Sequence, residues 1–485
     1  MIKFRRIFLN KFYLVFFGCV LALSLSQAVN SQTTILAQNF LKTNYDGNYY
    51  AKMLEADRFY KQGDLQTAKQ IQQQVKPSFA QATPVPNAID DVSQLPAEVQ
   101  QQWQSINQAI AEAPEKEEEV NTRIFEPLES LVDNYPQFVP GQILLADTYD
   151  LYEWGDDALN TIETASEMYP SREDILDQKI ELLLAYGEPL EASIAAREFA
   201  YSNPNSPKAA TYTAAADEYF KQYKSQLKSK ITTSSILGGI GQAATGNEEQ
   251  GLSLGRMLLE GESATGSAIA QSYRTQVPTV SDTTQLNYIR GIGEKLAKLM
   301  GRSEFDYEFD IIEDPTPNAF ALPGGKIFFH TGMLQLMDSE AELAGVMAHE
   351  IAHSVLSHGY KSIAESAITN TGANLISGFL GKEAGTVAQV GGALLDKKFS
   401  RQKEKQADVL GLRVLDAGGY SADGLYNVMA KLKQLEGESN FAQSLLSSHP
   451  ASEERMRYLE ELIQTKGYNR YGYEGVQEYR AVFPR

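Results

Sequence analysis

The chain has 485 residues, a length that allows roughly two or three domains and a sizeable hydrophobic core. Its formal net charge is −19, because 62 acidic residues outnumber 43 basic ones. This balance argues against a nucleic-acid partner and favours solubility. The only cysteine is Cys19, which excludes an intrachain disulfide.

The first 28 residues have the composition of a secretory signal peptide. A basic start containing Lys3, Arg5 and Arg6 precedes the apolar run 12–25, and small residues follow as far as Ala28. We predict cleavage after about Ala28 and an exported chain in the periplasm or cell envelope, with peripheral membrane association left open. The alternative is that this segment is kept as an anchor.

A repeat follows in the next part of the chain. Pro136, Pro170 and Pro204 are spaced by 34 residues, the period of tetratricopeptide repeats. We predict such repeats over 99–228 and one similar helical hairpin over 29–76. A solenoid of this kind offers a concave surface to a partner protein. The alternative is a generic helical bundle whose prolines recur by accident.

Two segments have the composition of linkers. Residues 77–98 are rich in Pro, Ala and Gln, and residues 229–266 are rich in Gly, Ser and Thr. They would separate the repeats from a third domain at 267–465, after which the Tyr-rich stretch 466–485 is predicted to be a tail. A further Gly- and Ala-rich stretch, 372–395, is predicted to be either a lid or a closely packed helical hairpin.

The third domain begins with two predicted strands. Residues 305–312 alternate between apolar and polar types, which is typical of a half-buried strand. Residues 326–331 predict a second strand, which the turn at Pro323, Gly324 and Gly325 introduces.

A buried helix should follow. Ser339 can cap it, and Glu342 completes a capping box three residues later. The run 343–356 is nearly all small or apolar, so the helix is expected to be buried on most sides. Its polar residues therefore need partners inside the protein, because burying an unpaired polar group costs about 2–7 kcal/mol.

Those polar residues form an H-E-x-x-H motif, with His349, Glu350 and His353. The two imidazoles are four residues apart, so they project from one face and can bind one Zn²⁺. Glu350 lies beside them, placed to act as a base on water rather than as a ligand. The alternative is a core helix whose polar groups are satisfied by other means.

A catalytic zinc needs a third protein ligand. The best candidate is Glu404, on a helix predicted to end at Gly418 and Gly419. Asp408, one turn further, could hydrogen-bond the second nitrogen of a ligating His. The alternative is that Glu404 belongs to a mixed-charge surface. His330 and His358 are expected to be structural or surface residues rather than ligands.

Four sequence blocks together resemble the zinc metallopeptidase family of the CAAX prenyl protease, HtpX, Oma-type and BepA-type enzymes. Their order and spacing agree with that family over roughly residues 275–465. The blocks are 318–325 (NAFALPGG), 342–358 (ELAGVMAHEIAHSVLSH), 399–412 (FSRQKEKQADVLGL), and His449-Pro450 followed by Arg455.

The resemblance implies one Zn²⁺ per chain, held by His349, His353 and Glu404. It implies that Glu350 is the catalytic base and that Asp408 supports a ligand. His449 and Arg455 would line the cleft as further catalytic residues. In some members of the family the equivalent of His449 approaches the metal and plugs the site.

The implied fold is α+β, a mostly helical zincin-like peptidase domain with a small sheet behind an all-α repeat region. Zincin-type enzymes commonly hold an extended substrate against a strand edge. We therefore expect substrate to bind along the second strand, at Lys326, Ile327, Phe328 and Phe329, and at Asn318 ahead of that strand.

The function predicted from the sequence is an exported zinc-dependent metalloendopeptidase that acts on unfolded or misassembled envelope proteins. The competing hypothesis is an envelope assembly factor or chaperone-like adaptor that binds through its repeats and has restrained proteolysis.

Overall fold

The computed structural model describes residues 47–82, 84–242, 258–368, 399–436, 449 and 453–484. The predicted signal peptide and the segment 372–395 lie outside the described residues. Within the described ranges the protein is mostly helical and contains one small sheet, as the α+β class requires. None of the helices in these ranges has both the length and the apolar composition needed to cross a bilayer.

The N-terminal hairpin packs on the C-terminal end of the chain. Asp57, on the first helix, accepts hydrogen bonds from the backbone N–H groups of Glu474 (3.0 Å) and Val476 (3.1 Å). Lys76 is buried between the carboxylates of Asp423 (2.7 Å) and Glu474 (2.6 Å). The hairpin consists of α1 (Gly47–Lys61) and α2 (Leu65–Gln73).

A helical array follows, and part of it repeats. Its helices are α3 (Ala97–Glu112), α4 (Glu117–Val120), α5 (Glu126–Asn134), α6 (Val139–Leu151), α7 (Gly155–Met168), α8 (Glu173–Ala185), α9 (Pro189–Ser202) and α10 (Ala209–Gln242). The pair α8 and α9 begins 34 residues after the pair α6 and α7, and the two pairs have the same helix lengths, 13 and 14 residues. Asn121–Phe125 form a π-helical turn between α4 and α5.

The two predicted linkers are more structured than expected. In 77–98, the backbone N–H of Ala80 donates to Glu460 (3.2 Å) and the Ala80 carbonyl accepts from Gln464 (2.8 Å). This segment is therefore attached to the third domain rather than free of it. In 229–266, α10 runs to Gln242, residues 258–260 are helical, and a further helix begins at Glu262, so both ends of that segment are helical.

The remaining elements form the third domain. They are α11 (Glu262–Arg274), α12 (Thr283–Met300), β1 (Glu308–Ile312), β2 (Ala319–Leu322), β3 (Lys326–His330), α13 (Thr331–Leu336), α14 (Glu340–Val355), α15 (His358–Ile368), α16 (Arg401–Ala417), α17 (Gly424–Glu436), α18 (Glu453–Thr465) and α19 (Val476–Val482). Both predicted strands are present, as β1 and β3. The helix α19 falls in the predicted tail, and Tyr479 within it is fully buried in the main core. The tail prediction is therefore wrong.

The sheet has the order β1-β3-β2, with β3 parallel to β1 and antiparallel to β2. Both edges of β3 are thus already paired, and all five of its residues are buried. The expectation that an extended substrate pairs with 326–331 is wrong for this reason: Lys326, Ile327, Phe328 and Phe329 have no free strand edge to offer. Strand β2, which carries an outer edge of the described sheet, is tied to α14 because Ser354 donates to the Leu322 carbonyl (3.2 Å).

The motif helix α14 is capped as predicted and buried at every position from 341 to 355. The Ser339 hydroxyl accepts from the backbone N–H of Glu342 (3.2 Å). The Glu342 carboxylate accepts from the N–H of Asp338 (2.7 Å), one residue before the donor that a capping box uses. The helix lies in a core that also includes Leu190 and Ile194 of α9, so one helix of the array contributes to the core of the third domain.

Two glycines set how closely other helices approach α14. A Cβ on Gly345 would lie 2.5 Å from the backbone nitrogen of Leu425, at the start of α17. A Cβ on Gly411 of α16 would lie 3.2 Å from the backbone nitrogen of His349. The second close approach brings α16, and with it Glu404, next to the motif histidines.

We expect Gly345→Ala to lower the free energy of unfolding by about 1–3 kcal/mol, because the added methyl group overlaps a backbone that cannot give way. The matched control is Gly291→Ala in α12, where a Cβ would meet nothing within 4 Å. That change should raise stability by about 0.5–1 kcal/mol through helix propensity alone. Denaturant unfolding of both variants measures the difference, and equal effects would contradict the close packing of α14 on α17.

Candidate metal centre

Four potential ligand side chains meet at one point in the core. His349, His353, Glu404 and His449 each offer one donor atom, and these atoms lie within 4.8 Å of one another. All four side chains are 5% exposed or less. The structure therefore brings together the three predicted ligands, and the alternative in which Glu404 lies on the surface is wrong.

The ring nitrogens of the three histidines lie close together and face one another, an arrangement that favours a bound cation. Nε2 of His349 lies 3.1 Å from Nε2 of His353 and 3.3 Å from Nδ1 of His449. The carboxylate of Glu404 lies 3.4 Å from Nε2 of His353 and 2.9 Å from Nδ1 of His449. Lone pairs that converge in this way suit a metal ion, and the nitrogen and oxygen donors are those that zinc prefers.

A carboxylate and a guanidinium support the ligands from behind. Asp408 lies 3.0 Å from Nδ1 of His349, the outer hydrogen bond that zinc-bound histidines usually make. Arg455 binds both oxygens of Asp408 (2.7 and 2.8 Å) and lies 2.6 Å from Glu404. Asp408 therefore has the position that the sequence predicted, while Arg455 contacts the carboxylates.

His358 is a residue whose importance sequence reasoning missed. It is fully buried, and its Nδ1 lies 2.9 Å from Nδ1 of His353. Helix α14 ends at Val355, and Ser357 then adopts a φ of +61°. This reversal turns His358 back toward His353. The helical spacing rule does not cover such a contact, and the available signal was a further histidine just beyond the end of a buried helix.

Burial and neighbouring charges set the protonation of the ligands. Burial lowers the pKa of His353 to about 3, which keeps the ring neutral as zinc binding requires. Burial and Arg455 also act against protonation of His349, but contacts with Asp408 and Glu404 outweigh them and raise its pKa to about 9. Burial acts to raise the pKa of Glu404, while His449 and Arg455 hold it well below its usual range.

Glu350 lies beside this group and is 1% exposed. Its carboxylate is 3.7 Å from Nε2 of His449. Burial raises its pKa, against the opposing influence of His449 and His349. A carboxylate whose pKa is raised toward neutrality is a better general base.

The sequence was compared with known proteins. Residues 283–463 match the model of peptidase family M48. The mitochondrial metalloendopeptidase OMA1 of Schizosaccharomyces pombe is 32% identical over 190 residues, which are 39% of this chain and 55% of that protein. The beta-barrel assembly-enhancing protease of Escherichia coli is 26% identical over 252 residues, which are 49% of this chain and 52% of that protein.

The matched segments thus span about half the length of these two relatives. The range that matches the family model includes the motif helix α14 and the helix α16. All four residues of the buried His-His-Glu-His group lie within that range. Residues 283–463 are therefore similar to the peptidase domains of family M48.

Proposed function

We propose that this chain is a zinc-dependent metalloendopeptidase, with His349, His353 and Glu404 as ligands. The observation that carries the proposal is the convergence of these three side chains on one point beside the buried carboxylate of Glu350. A bound zinc supplies Lewis acidity toward the scissile carbonyl and toward water.

The side chains of the protein supply the proton transfers. Glu350 takes a proton from the attacking water and delivers it to the leaving amine. Asp408, through Nδ1 of His349, holds that ligand in its orientation. Phe399 stacks on the ring of His353, with ring centroids 4.3 Å apart, and excludes water from that side.

Of the two candidate donors to the oxyanion, His449 is the better placed. The guanidinium of Arg455 contacts the carboxylates of Asp408 and Glu404, so its charge neutralises these two carboxylates. Nε2 of His449 faces Glu350 at 3.7 Å, on the side where the reaction would occur. We propose that Arg455 positions the two carboxylates and that His449 contacts the reacting groups.

The position of His449 also favours restrained proteolysis. Its Nδ1 lies within 3.3 Å of both His349 and Glu404, where it competes with a substrate for the open coordination position. The position of His449 therefore supports the second hypothesis, in which the protein is an assembly factor or adaptor whose peptidase activity is restrained. In that hypothesis the helical array binds the partner, and cleavage follows only when His449 moves away.

The helical array is proposed to be a tetratricopeptide-type recognition surface. Support comes from the 34-residue offset between the pairs α6–α7 and α8–α9, and from the positive φ of Glu153 and Gly187 at equivalent turns. The relative from E. coli is named for the assembly of beta-barrels. We extend this to propose misfolded or misassembled envelope proteins as substrates.

Export is part of the proposal and rests on the composition of residues 1–28. N-terminal sequencing of the mature protein tests it, because cleavage after about Ala28 removes the basic start. For the substrate strand, we propose the outer edge of β2 in place of β3, since β2 is attached to the motif helix through Ser354.

Removal and return of the metal tests the proposed activity. We expect the purified chain to hold one zinc, to lose its digestion of an unfolded protein such as reduced casein after chelation, and to regain it when zinc is restored. Magnesium is the matched control ion and should restore nothing, because it prefers oxygen ligands. Protein that holds no zinc, or that digests nothing when reloaded, would overturn the proposal.

A further inference from the structure

A series of hydrogen bonds leads from His353 out of the peptidase domain and into the helical array. Nδ1 of His353 lies 2.9 Å from Nδ1 of His358. Nε2 of His358 lies 3.1 Å from the side-chain oxygen of Gln406, on α16. The side-chain nitrogen of Gln406 then donates to Glu198, on α9 (2.9 Å). We call these four residues the relay.

The carboxylate at its end sets the direction of every bond in the relay. The nitrogen of Gln406 faces Glu198 and its oxygen faces His358, the arrangement in which the carboxylate accepts from the amide. His358 then donates from Nε2 and accepts at Nδ1. His353 consequently donates from Nδ1, which leaves the lone pair of its Nε2 for zinc.

We propose that Glu198 is a positioning residue, which acts through Gln406 and His358 to keep His353 in the tautomer that binds zinc. The proposal rests on the zinc centre described above and assigns part of its construction to the helical array. Asp408 does not replace this contact, because its nearest ligand in the described part of the chain is His349 (3.0 Å).

Loss of Glu198 has a defined consequence in this arrangement. The amide of Gln406 can then rotate and present its nitrogen to His358, which must accept at Nε2 and carry its proton on Nδ1. That proton faces Nδ1 of His353 and drives the proton of His353 onto Nε2, the nitrogen that zinc needs. Glu198 and Gln406 both border a cavity of about 400 Å³, so the side chains at these positions have room to change.

The test is zinc affinity, measured on the full chain by competition with a chromogenic chelator. We expect Glu198→Leu and Gln406→Leu each to weaken zinc binding by about 10-fold, the lower end of the range for outer contacts of metal ligands. The exchanged pair Glu198→Gln with Gln406→Glu should bind within about 2-fold of the unchanged chain. There the amide at position 198 donates to the carboxylate at position 406, which still accepts from His358.

The matched control is Glu167→Leu. Glu167 belongs to the same interface and pairs with Lys405 (2.7 Å), but it is outside the relay, so zinc affinity should not change. Unfolding of the zinc-free proteins is measured in parallel. If Glu198→Leu does not fold, Gln406→Leu and the exchanged pair decide the outcome.

Zinc affinity that is unchanged in Glu198→Leu and Gln406→Leu would overturn the proposal, as would an equal loss in Glu167→Leu. An exchanged pair that binds as weakly as the single variants would also overturn it. The outcome is separable from the peptidase proposal. An unchanged chain that binds zinc but digests nothing contradicts the activity and leaves the relay to be judged on affinity.

Discussion

Glu350→Gln is expected to abolish peptide hydrolysis and to leave zinc bound. The amide has nearly the same shape as the carboxylate but cannot take a proton from water, and a lost general base costs about 10²–10⁴-fold in rate. Glu350 is not among the four converging donors, so metal content should stay the same. The rate of hydrolysis is measured by digestion of an unfolded protein, and the zinc content is measured on the same sample.

The control for this variant is Glu454→Gln, on α18, because the Glu454 side chain is 63% exposed and should affect neither rate nor zinc. Loss of zinc from Glu350→Gln would mean that Glu350 is a ligand. The same variant separates the two functional hypotheses in cells. If envelope assembly survives without hydrolysis, the adaptor hypothesis is favoured over the peptidase hypothesis.

Glu404→Gln is expected to remove zinc from the protein. Glu404 supplies the only carboxylate among the four converging donors, and its negative charge offsets the buried guanidinium of Arg455 (2.6 Å). We expect affinity to fall by more than about 100-fold, beyond the range caused by changes in outer contacts. Metal analysis after gel filtration measures this loss. The unfolding temperature should also stop responding to added zinc.

Asp408→Asn is the graded comparison, because Asp408 contacts His349 and not the point where the donors converge. Its effect on zinc affinity should be smaller, about 10- to 100-fold. Stoichiometric zinc in Glu404→Gln, together with its loss in His449→Ala, would identify His449 as the third ligand instead. The structure makes this a real comparison, since His449 lies as close to the other donors as Glu404 does.

Local rules were enough to predict the parts of the site that depend on spacing along one element. The cap at Ser339 and the four-residue spacing of His349 and His353 need only helical geometry. The end of α16 at Ala417, before two glycines, also follows from a local signal. Spacing alone left Glu404 either as a ligand or on a mixed-charge surface, and the burial of Glu404 beside the two histidines decides between the two.

Long-range contacts account for what the sequence could not predict. Strand order depends on which segments pair in space. The sequence of residues 326–331 therefore could not predict that β3 is the central strand of the sheet. The C-terminal stretch was misjudged because its burial comes from α1 and α13, far away along the chain. His358 was undervalued for a similar reason, since a single reversed residue at Ser357 determines where its ring points.

The burial of Tyr479 has a consequence for the stability of the motif helix. Its hydroxyl donates to the carbonyl of Leu334 (2.6 Å), and its ring packs in the core that contains the motif helix. Local unfolding of α19 would therefore open a cavity beside the motif helix, so the metal centre and α19 are expected to lose their structure together.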